Sequence, residues 1–315
     1  MQPVSRRTFT GQAMTLSVAV AAGPSAIVRA ATRLTRQDAS PFDWKPIGDG
    51  ARVAMGQGGN ALVFTSNGQA ALIDCKNLGY GHALLAESQS DDVRLAGVFN
   101  THHHGDHVGG NNAFFGLFDI HAHPNCVARV KEQAPRYSKA WNERLRGDKP
   151  ELKAEAWVPR KKIHSGQEFR VGESVFSAHY VGPGHTDNDM FFYFPDRNIL
   201  HTGDLVFHKL HPFMDVGAGG ASAGWIKSCE AMLKVCDDDT IVVPGHGDIT
   251  DKTGIERQRE YFLVIREAIK KNIDAGKDRD EAIKIDPPMF EGMGFVRIRD
   301  RTLGMVYDEL TASHD

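Results

Sequence analysis

The segment Thr101-His102-His103-His104-Gly105-Asp106-His107 holds four histidines and one aspartate within six consecutive positions. This concentration of polar side chains costs stability unless something binds them, because protonated imidazoles repel one another. A divalent cation removes that repulsion, since imidazole nitrogens and carboxylate oxygens are good zinc ligands. The segment follows an apolar run at residues 93–99 that predicts a strand. We therefore expect a metal site in a loop at the end of a strand.

Three later segments supply further ligand types, each directly after a predicted strand. They are Gly184-His185-Thr186, Gly203-Asp204 and Gly245-His246-Gly247. Each candidate ligand has a neighbouring glycine, which lets the backbone turn sharply and approach an ion closely. Loops at strand ends are the usual place for a functional site that a rigid sheet holds in position. We therefore expect these three segments to join the first cluster.

The apolar runs predict an α/β fold with two groups of strands. Asn67-Gly68, between the runs at 60–65 and 69–74, predicts a hairpin because both residues tolerate a positive φ. Further strands are predicted at 93–99, 119–122, 173–180, 190–195, 198–202 and 240–244. Helices are predicted at 81–88, 108–115, 125–133, 224–236, 251–275 and 296–310, with much of 134–160 unassigned. Two strand groups flanked by helices indicate a four-layer αββα sandwich, one domain over residues 32–315 that ends in helices.

Composition excludes several classes of protein. Apolar residues make up 41% and charged residues 24% of the 315 positions, which excludes a disordered chain, a collagen and a coiled coil. The net charge of −3 argues against a general nucleic-acid binder. Only four cysteines are present, so disulfides do not build the fold. Cys229 and Cys236 are seven positions apart on a predicted helix, about 10 Å, which is too far for a disulfide.

Residues 1–31 have the features of a targeting segment. Arg6 and Arg7 precede a mild apolar run at 13–22, and the segment ends in small residues suited to cleavage. The apolar run is about half the length that a membrane-spanning helix needs. The arginine pair resembles a twin-arginine export signal, and a disordered tail is the alternative. We therefore expect the twin-arginine export machinery as a partner, a periplasmic or otherwise exported protein, and no stable membrane anchor.

Taken together, the four motifs resemble the metallo-β-lactamase superfamily. The matching patterns are H-x-H-x-D-H at 102–107, G-H-T at 184–186, T-G-D at 202–204 and P-G-H-G at 244–247, in the order of that family. The match extends over roughly residues 50–250, most of the chain. Asp74, at the end of an early strand, also matches a family position that usually supports the metal ligands. The αββα sandwich is the fold that this resemblance implies.

The resemblance also implies a site for two metal ions. Seven residues would hold them: His102, His104 and His185 the first ion, Asp106, His107 and His246 the second, and Asp204 both. Two Zn²⁺ ions are implied, with iron or manganese as alternatives. A hydroxide held between ions about 3.5–4 Å apart would attack the carbonyl of a small-molecule substrate. Asp106 would be the catalytic residue that steers this hydroxide.

Asp204 distinguishes between branches of the superfamily. True β-lactamases of the family carry cysteine or serine there, so the resemblance favours hydrolysis of an ester, thioester, lactone or amide over β-lactamase activity. Persulfide dioxygenases retain much of the motif set with a single iron and are the main alternative from another reaction class; a non-catalytic metal-binding protein is the third. Residues 251–315 are helical, as in glyoxalase II, but show no clear glutathione-binding pattern. No nucleic-acid partner is expected.

Several polar residues outside this ligand set have structural interpretations. Three histidines are expected to pack or to form local hydrogen bonds: His103, His121 and His123. His201 either orients Asp204 or has a core role. The loop after Asp204, which carries two more histidines, either lines the substrate pocket or packs. The walls of the pocket are expected from residues 134–160 and 207–224.

Overall fold

The computed structural model describes residues 39–145 and 150–312. The chain divides into two units, Met1–Ser40 and Pro41–Asp315, and every element below lies in the second. The predicted export segment at residues 1–31 lies outside the described residues. None of the helices in the described ranges combines the length and the apolar character needed to cross a bilayer.

The first sheet has seven strands in chain order. They are β1 Asp43–Pro46, β2 Ala51–Met55, β3 Ala61–Ser66, β4 Gln69–Ile73, β5 Arg94–Phe99, β6 Ile120–Ala122 and β7 Lys161–Lys162. Strands β1 to β4 are antiparallel, whereas β4 to β7 are parallel. Asn67 and Gly68 have φ values of 42° and 73°, which confirms the hairpin between β3 and β4. β7 ends the sheet with two exposed lysines, which discourage pairing with another edge.

The second sheet has five strands in the order β12-β11-β10-β9-β8. They are β8 Gln167–Val171, β9 Ser174–His179, β10 Phe191–Phe194, β11 Ile199–Phe207 and β12 Ile241–His246. Only β11 and β12 are parallel. The two sheets face each other across an apolar layer, in which the rings of Phe64 and Phe194 stack at 4.5 Å. Alternation along β3 directs Leu62 and Phe64 into this layer and Val63 to the opposite face.

Helices cover the outer faces of both sheets. They are α1 Gly81–Glu87, α2 Gly105–Val108, α3 Pro124–Asn142, α4 Ser222–Val235, α5 Lys252–Asp274, α6 Arg279–Ala282 and α7 Val296–Ala312. Leu84 of α1 packs with Val63 on the first sheet, and Trp225 of α4 packs with Val242 on the second. The predicted four-layer αββα sandwich is therefore confirmed. All four cysteines are free, which confirms the prediction that Cys229 and Cys236 form no disulfide.

Three predicted elements differ from the structure. The helix expected at 108–115 is instead the short α2 followed by a 3-10 turn at Asn111–Ala113, because two glycines interrupt it. Helix α3 does not end near residue 133 but continues through Pro135. Pro135 lies at an exposed position of α3, where water can replace the backbone hydrogen bond that proline cannot form. Strand β11 does not end at Thr202 but continues to Phe207 through irregular pairing with β12.

Candidate metal centre

The seven predicted ligands converge where the two sheets meet. His102 and His104 follow β5, Asp106 and His107 lie in α2, and His185 follows β9. Asp204 lies within β11 rather than after a strand, and His246 is the last residue of β12. The donor atoms form two groups, each within 4.8 Å: His102, His104, His185 and Asp204 in one, and Asp106, His107 and His246 in the other. These are the two groups that the resemblance implied, and their role as ligands remains a prediction.

The Asp204 carboxylate contacts both groups. Its Oδ2 lies 3.4 Å from Nε2 of His185 and 3.3 Å from Nε2 of His246. Its Oδ1 lies 3.0 Å from Nε2 of His107. Asp106 approaches from the cleft side, with Oδ2 3.2 Å from Nε2 of His246. The buried Asp204 carboxylate therefore lies between the two groups of candidate ligands.

Several donor atoms at this centre are buried without a hydrogen bond. They are Nε2 of His102, Nε2 of His107 and Oδ1 of Asp204. The short distance between His107 and Asp204 is therefore a contact without hydrogen-bonding geometry. Buried polar atoms normally have a partner, so a group of them that faces one point calls for a cation. These residues fit a divalent metal ion.

In two of these histidines, Nδ1, the ring nitrogen that does not face the centre, is hydrogen-bonded to an acceptor of the protein. Nδ1 of His107 donates to Oδ2 of Asp74 at 2.7 Å, and Nδ1 of His185 donates to the carbonyl of Phe213 at 2.6 Å. In the neutral form of each ring, these bonds leave the Nε2 lone pair facing the centre. Fixing the tautomer in this way is typical of histidines that bind metals.

In His104 the two ring nitrogens exchange these roles. Its Nε2 donates to Oδ2 of Asp215 at 2.9 Å, which leaves Nδ1 facing the centre, 2.9 Å from Nε2 of His185. Two ring nitrogens whose lone pairs converge at this distance are stabilised by a shared cation. Asp215 was not predicted from the sequence, since no motif marks a residue more than a hundred positions from its partner.

Charges at the centre depend on the balance between burial and neighbouring groups. Burial lowers the pKa of His102 and that of His185, the latter to about 3. Burial opposes protonation of His246 as well, but Asp204 raises its pKa to about 9. Burial likewise opposes ionisation of Asp204, yet His246 and His107 hold the pKa of its carboxyl well below the usual range. His102 and His185 are therefore neutral, whereas the carboxylates raise the pKa of His107 as well as that of His246, so these two rings favour the charged form. A divalent cation bound at the centre would displace those protons.

Two glycines let the backbone come close to the ligands. A Cβ on Gly245 would lie 2.0 Å from Oδ1 of Asp204, and a Cβ on Gly59 would lie 2.1 Å from Cε1 of His107. Real Cβ atoms cannot approach that closely, so only glycine fits at either position. The sequence indicated this role for Gly245, whereas Gly59 lacked a motif.

The remaining histidines have structural contacts. His103 Nδ1 lies 3.0 Å from Nδ2 of Asn188, as expected of a residue that forms local hydrogen bonds. His121 stacks on Phe99 with ring centroids 4.7 Å apart, and His123 accepts a bond from the first turn of α3.

His201 does not orient Asp204 directly. Its Nδ1 accepts from the backbone N–H of Gly203 at 3.3 Å, and its Nε2 lies 3.1 Å from the carbonyl of Asn60. Gly203 has a φ of 51° at the irregular point of β11. His201 therefore braces the backbone that presents Asp204.

A cleft of about 850 Å³ opens onto the metal centre. Its walls come from Phe207, Phe213 and residues 295–298 at the start of α7. Among the described residues, none of 134–145 or 150–160 lines this cleft, contrary to expectation, because α3 packs in a separate apolar cluster with Trp157. Another part of the loop after β11 packs in the interior, which was the second of the two expectations for this loop. There, His211 Nδ1 lies 3.0 Å from the hydroxyl of Tyr261.

Comparison with known proteins agrees with this geometry. A structure titled "Metallo-beta-lactamase from Pontibacter korlensis" aligns with a TM-score of 0.56 at 16% identity, covering 70% of this chain and 99% of that one. The DIM-1 metallo-beta-lactamase aligns at 0.55 and 18%, covering 71% and 97%. Identities this low show the fold alone.

Curated relatives are similar over part of their length. A hydroxyacylglutathione hydrolase from a Synechococcus species is 29% identical over 59% of this chain and 62% of its own length. Another, from Nitrosococcus oceani, is 27% identical over 60% and 65%. The chain thus spans under two thirds of these two relatives. The family model described as the metallo-beta-lactamase superfamily matches residues 55–246, and the chain belongs to that superfamily.

Proposed function

We propose that the protein is a metal-dependent hydrolase that uses two divalent ions, zinc by preference, to cleave an ester, thioester, lactone or amide of a small molecule. The observation that carries the proposal is the buried Asp204 carboxylate between two imidazole groups, with Oδ1 unpartnered. His102, His104 and His185 would hold one ion, and Asp106, His107 and His246 the other. When bound, such ions polarise a carbonyl and lower the pKa of a water molecule.

Residues around the centre would have two different roles in this reaction, positioning the histidine rings and orienting the attacking water. Asp74, Asp215 and the Phe213 carbonyl fix the rings whose lone pairs face the centre. Asp106 lines the cleft. Burial opposes its ionisation, but His107 holds the pKa of its carboxyl below the usual range. An ionised Oδ at the cleft surface can accept a hydrogen bond from an attacking water or hydroxide and orient it, so Asp106 is the catalytic residue that we propose.

Two observations order the substrate classes for a first assay. The relatives named hydroxyacylglutathione hydrolase support a thioester. An aspartate at position 204, where β-lactamases of the superfamily carry cysteine or serine, disfavours a β-lactam. Two alternatives remain, a mononuclear iron dioxygenase and a non-catalytic metal-binding protein. The experiment below distinguishes both from a hydrolase.

The test combines metal analysis with a substrate panel. We expect about two zinc ions per chain by mass spectrometry and turnover of at least one carbonyl substrate among thioesters, esters, lactones and β-lactams. Asp204→Ala should abolish turnover and release metal. His121→Ala, which removes a histidine outside the two ligand groups, should leave both turnover and metal content unchanged. One iron per chain with oxygen uptake on persulfides, or bound zinc without any turnover, would refute the proposal.

We also propose that the chain is exported by the twin-arginine machinery. The support is the pair Arg6 and Arg7 ahead of the mild apolar run at 13–22. Such export accepts folded proteins, which would allow the metal to be loaded before release.

A further inference from the structure

Three phenylalanines surround the approach to the metal centre. Phe207 and Phe213 come from the end of β11 and the loop after it, and Phe295 comes from the residue before α7. The ring of Phe207 stacks on that of His246 at 5.0 Å. Phe213 lies 6.0 Å from both His104 and His185. A substrate whose carbonyl reaches the ions must therefore pack against aromatic rings.

Phe295 is held in this position by the backbone. Its φ is 57°, a region that bulky residues rarely adopt. The preceding Gly294 is tied to the loop after β11: its N–H donates to Lys209 and its carbonyl accepts from His211. The side chain is 46% exposed, with its ring 5.8 Å from that of His246. An apolar ring kept half-exposed in a strained conformation beside a reaction centre indicates contact with a ligand.

Two arginines add positive charge beside the cleft, one as a lining residue and one against the ring of Phe213. Arg297 lines the cleft, and the guanidinium of Arg301 lies 4.8 Å from the ring centroid of Phe213. Within the part of the chain that the structure describes, neither forms an ion pair, whereas Arg299 between them pairs with Asp300 at 2.8 Å. Unpaired arginines next to an apolar surface favour an anionic group on a ligand.

We propose that the substrate is an anionic carbonyl compound with an aryl or bulky alkyl group. The apolar group packs on Phe207, Phe213 and Phe295, while the anionic group lies near Arg297 and Arg301. This inference rests on the proposed hydrolase function, because it assigns the substrate class of the same cleft. It makes Phe295 a specificity-determining residue.

A pair of fluorescent probes tests the inference without any turnover. 8-Anilinonaphthalene-1-sulfonate carries the aryl body and a negative charge, and N-phenyl-1-naphthylamine has the same aryl body without the charge. Phe295→Asn removes the ring and tolerates a positive φ, so we expect it to weaken both probes about tenfold. Arg297→Gln with Arg301→Gln should weaken only the sulfonate, by about fivefold, and should remove the salt dependence of its binding.

Matched controls lie outside the cleft. Leu263→Ala removes a side chain that is 45% exposed on α5, and Arg299→Gln removes the paired arginine. Both should bind the two probes as the parent protein does. If the parent protein bound the sulfonate and the neutral probe equally tightly, the inference would be overturned. It would also be overturned if the control variants lost as much probe affinity as the cleft variants.

Steady-state kinetics then separates this inference from the proposed function. With an aryl ester that carries a carboxylate, the arginine double variant should raise KM about fivefold and leave kcat within twofold. With the neutral counterpart, in which the carboxylate is converted to its methyl ester, the double variant should change neither KM nor kcat. If the probe pattern holds but no carbonyl compound is cleaved, the hydrolase proposal fails and the ligand class stands. If cleavage occurs with no preference for the anionic ester, the ligand class fails and the hydrolase stands.

Discussion

Asp74→Asn is expected to weaken metal binding at the His107 side without removing a residue that touches the ions. Oδ1 of Asp74 accepts from the backbone N–H of Thr101 at 2.8 Å, and Oδ2 accepts from Thr101 Oγ1 at 2.8 Å and from His107 Nδ1 at 2.7 Å. An asparagine retains the shape and tolerates the φ of 66°. Its single amide oxygen cannot accept hydrogen bonds from both the Thr101 N–H and His107 Nδ1. If the oxygen stays opposite the Thr101 N–H, the amide nitrogen faces His107 Nδ1.

The magnitude follows from the tautomer of His107. A donor facing Nδ1 favours the ring with its proton on Nε2, the atom that would bind the ion. Loss of a supporting bond of this kind weakens metal affinity about 10- to 100-fold, or roughly 1.4 to 2.8 kcal/mol. The charge-assisted bond itself is worth about 1.5 to 3 kcal/mol of folding stability. We therefore expect a folded protein with one weakened site.

The measurement is competition with a chromophoric chelator, together with mass spectrometry of bound metal after dialysis. The parent protein should retain two ions, and Asp74→Asn should lose one preferentially. Asp215→Asn is the matched comparison, because Asp215 bonds His104 at 2.9 Å but is 25% exposed, so water can replace it. Its effect should be smaller and should fall on the other ion. If a folded Asp74→Asn protein bound both metal ions with the affinities of the parent protein, the reasoning would be refuted.

Three further changes have defined outcomes. Gly245→Ala places a Cβ 2.0 Å from Oδ1 of Asp204, so bound metal should fall and kcat/KM should drop about a hundredfold; full metal content would contradict the geometry. Lys76→Met removes two bonds from a buried Nζ to backbone carbonyls and should lower the free energy of unfolding in urea by about 2–4 kcal/mol, whereas an unchanged value would show that those carbonyls need no donor. Replacement of Arg6 and Arg7 by lysine should keep the protein inside the cell on fractionation; normal export would rule out the twin-arginine route.

The ligand loops were predictable because their signals are local. Four histidines and an aspartate within six positions have few structural explanations, and each later motif combines a ligand with a glycine after an apolar run. The hairpin at Asn67-Gly68 was predictable for the same reason, since its turn depends on two residues. The sandwich followed from two groups of strands with helices around them.

Features that depend on contacts distant in sequence were not predictable. Asp215 bonds a histidine 111 positions away, and Phe295 reaches the cleft only because Gly294 is tied to the loop after β11. Pro135 reads as a helix breaker, but its exposed position lets α3 continue. The extension of β11 through Asp204 depends on pairing with β12, which no property of residues 203–207 alone indicates. In each case tertiary packing outweighs local preference.

Hydrogen bonds between the two sheets link the loops that carry the candidate ligands. Nδ2 of Asn60, just before β3, donates to the carbonyls of Pro244 and Gly247 at 2.9 Å, on both sides of His246. The N–H of Met190 donates to the carbonyl of Thr101 at 2.8 Å, directly before the histidine cluster. These bonds restrict the loops that carry His102 and His246. A metal ion that binds the folded protein and not the unfolded chain adds to this stability by mass action.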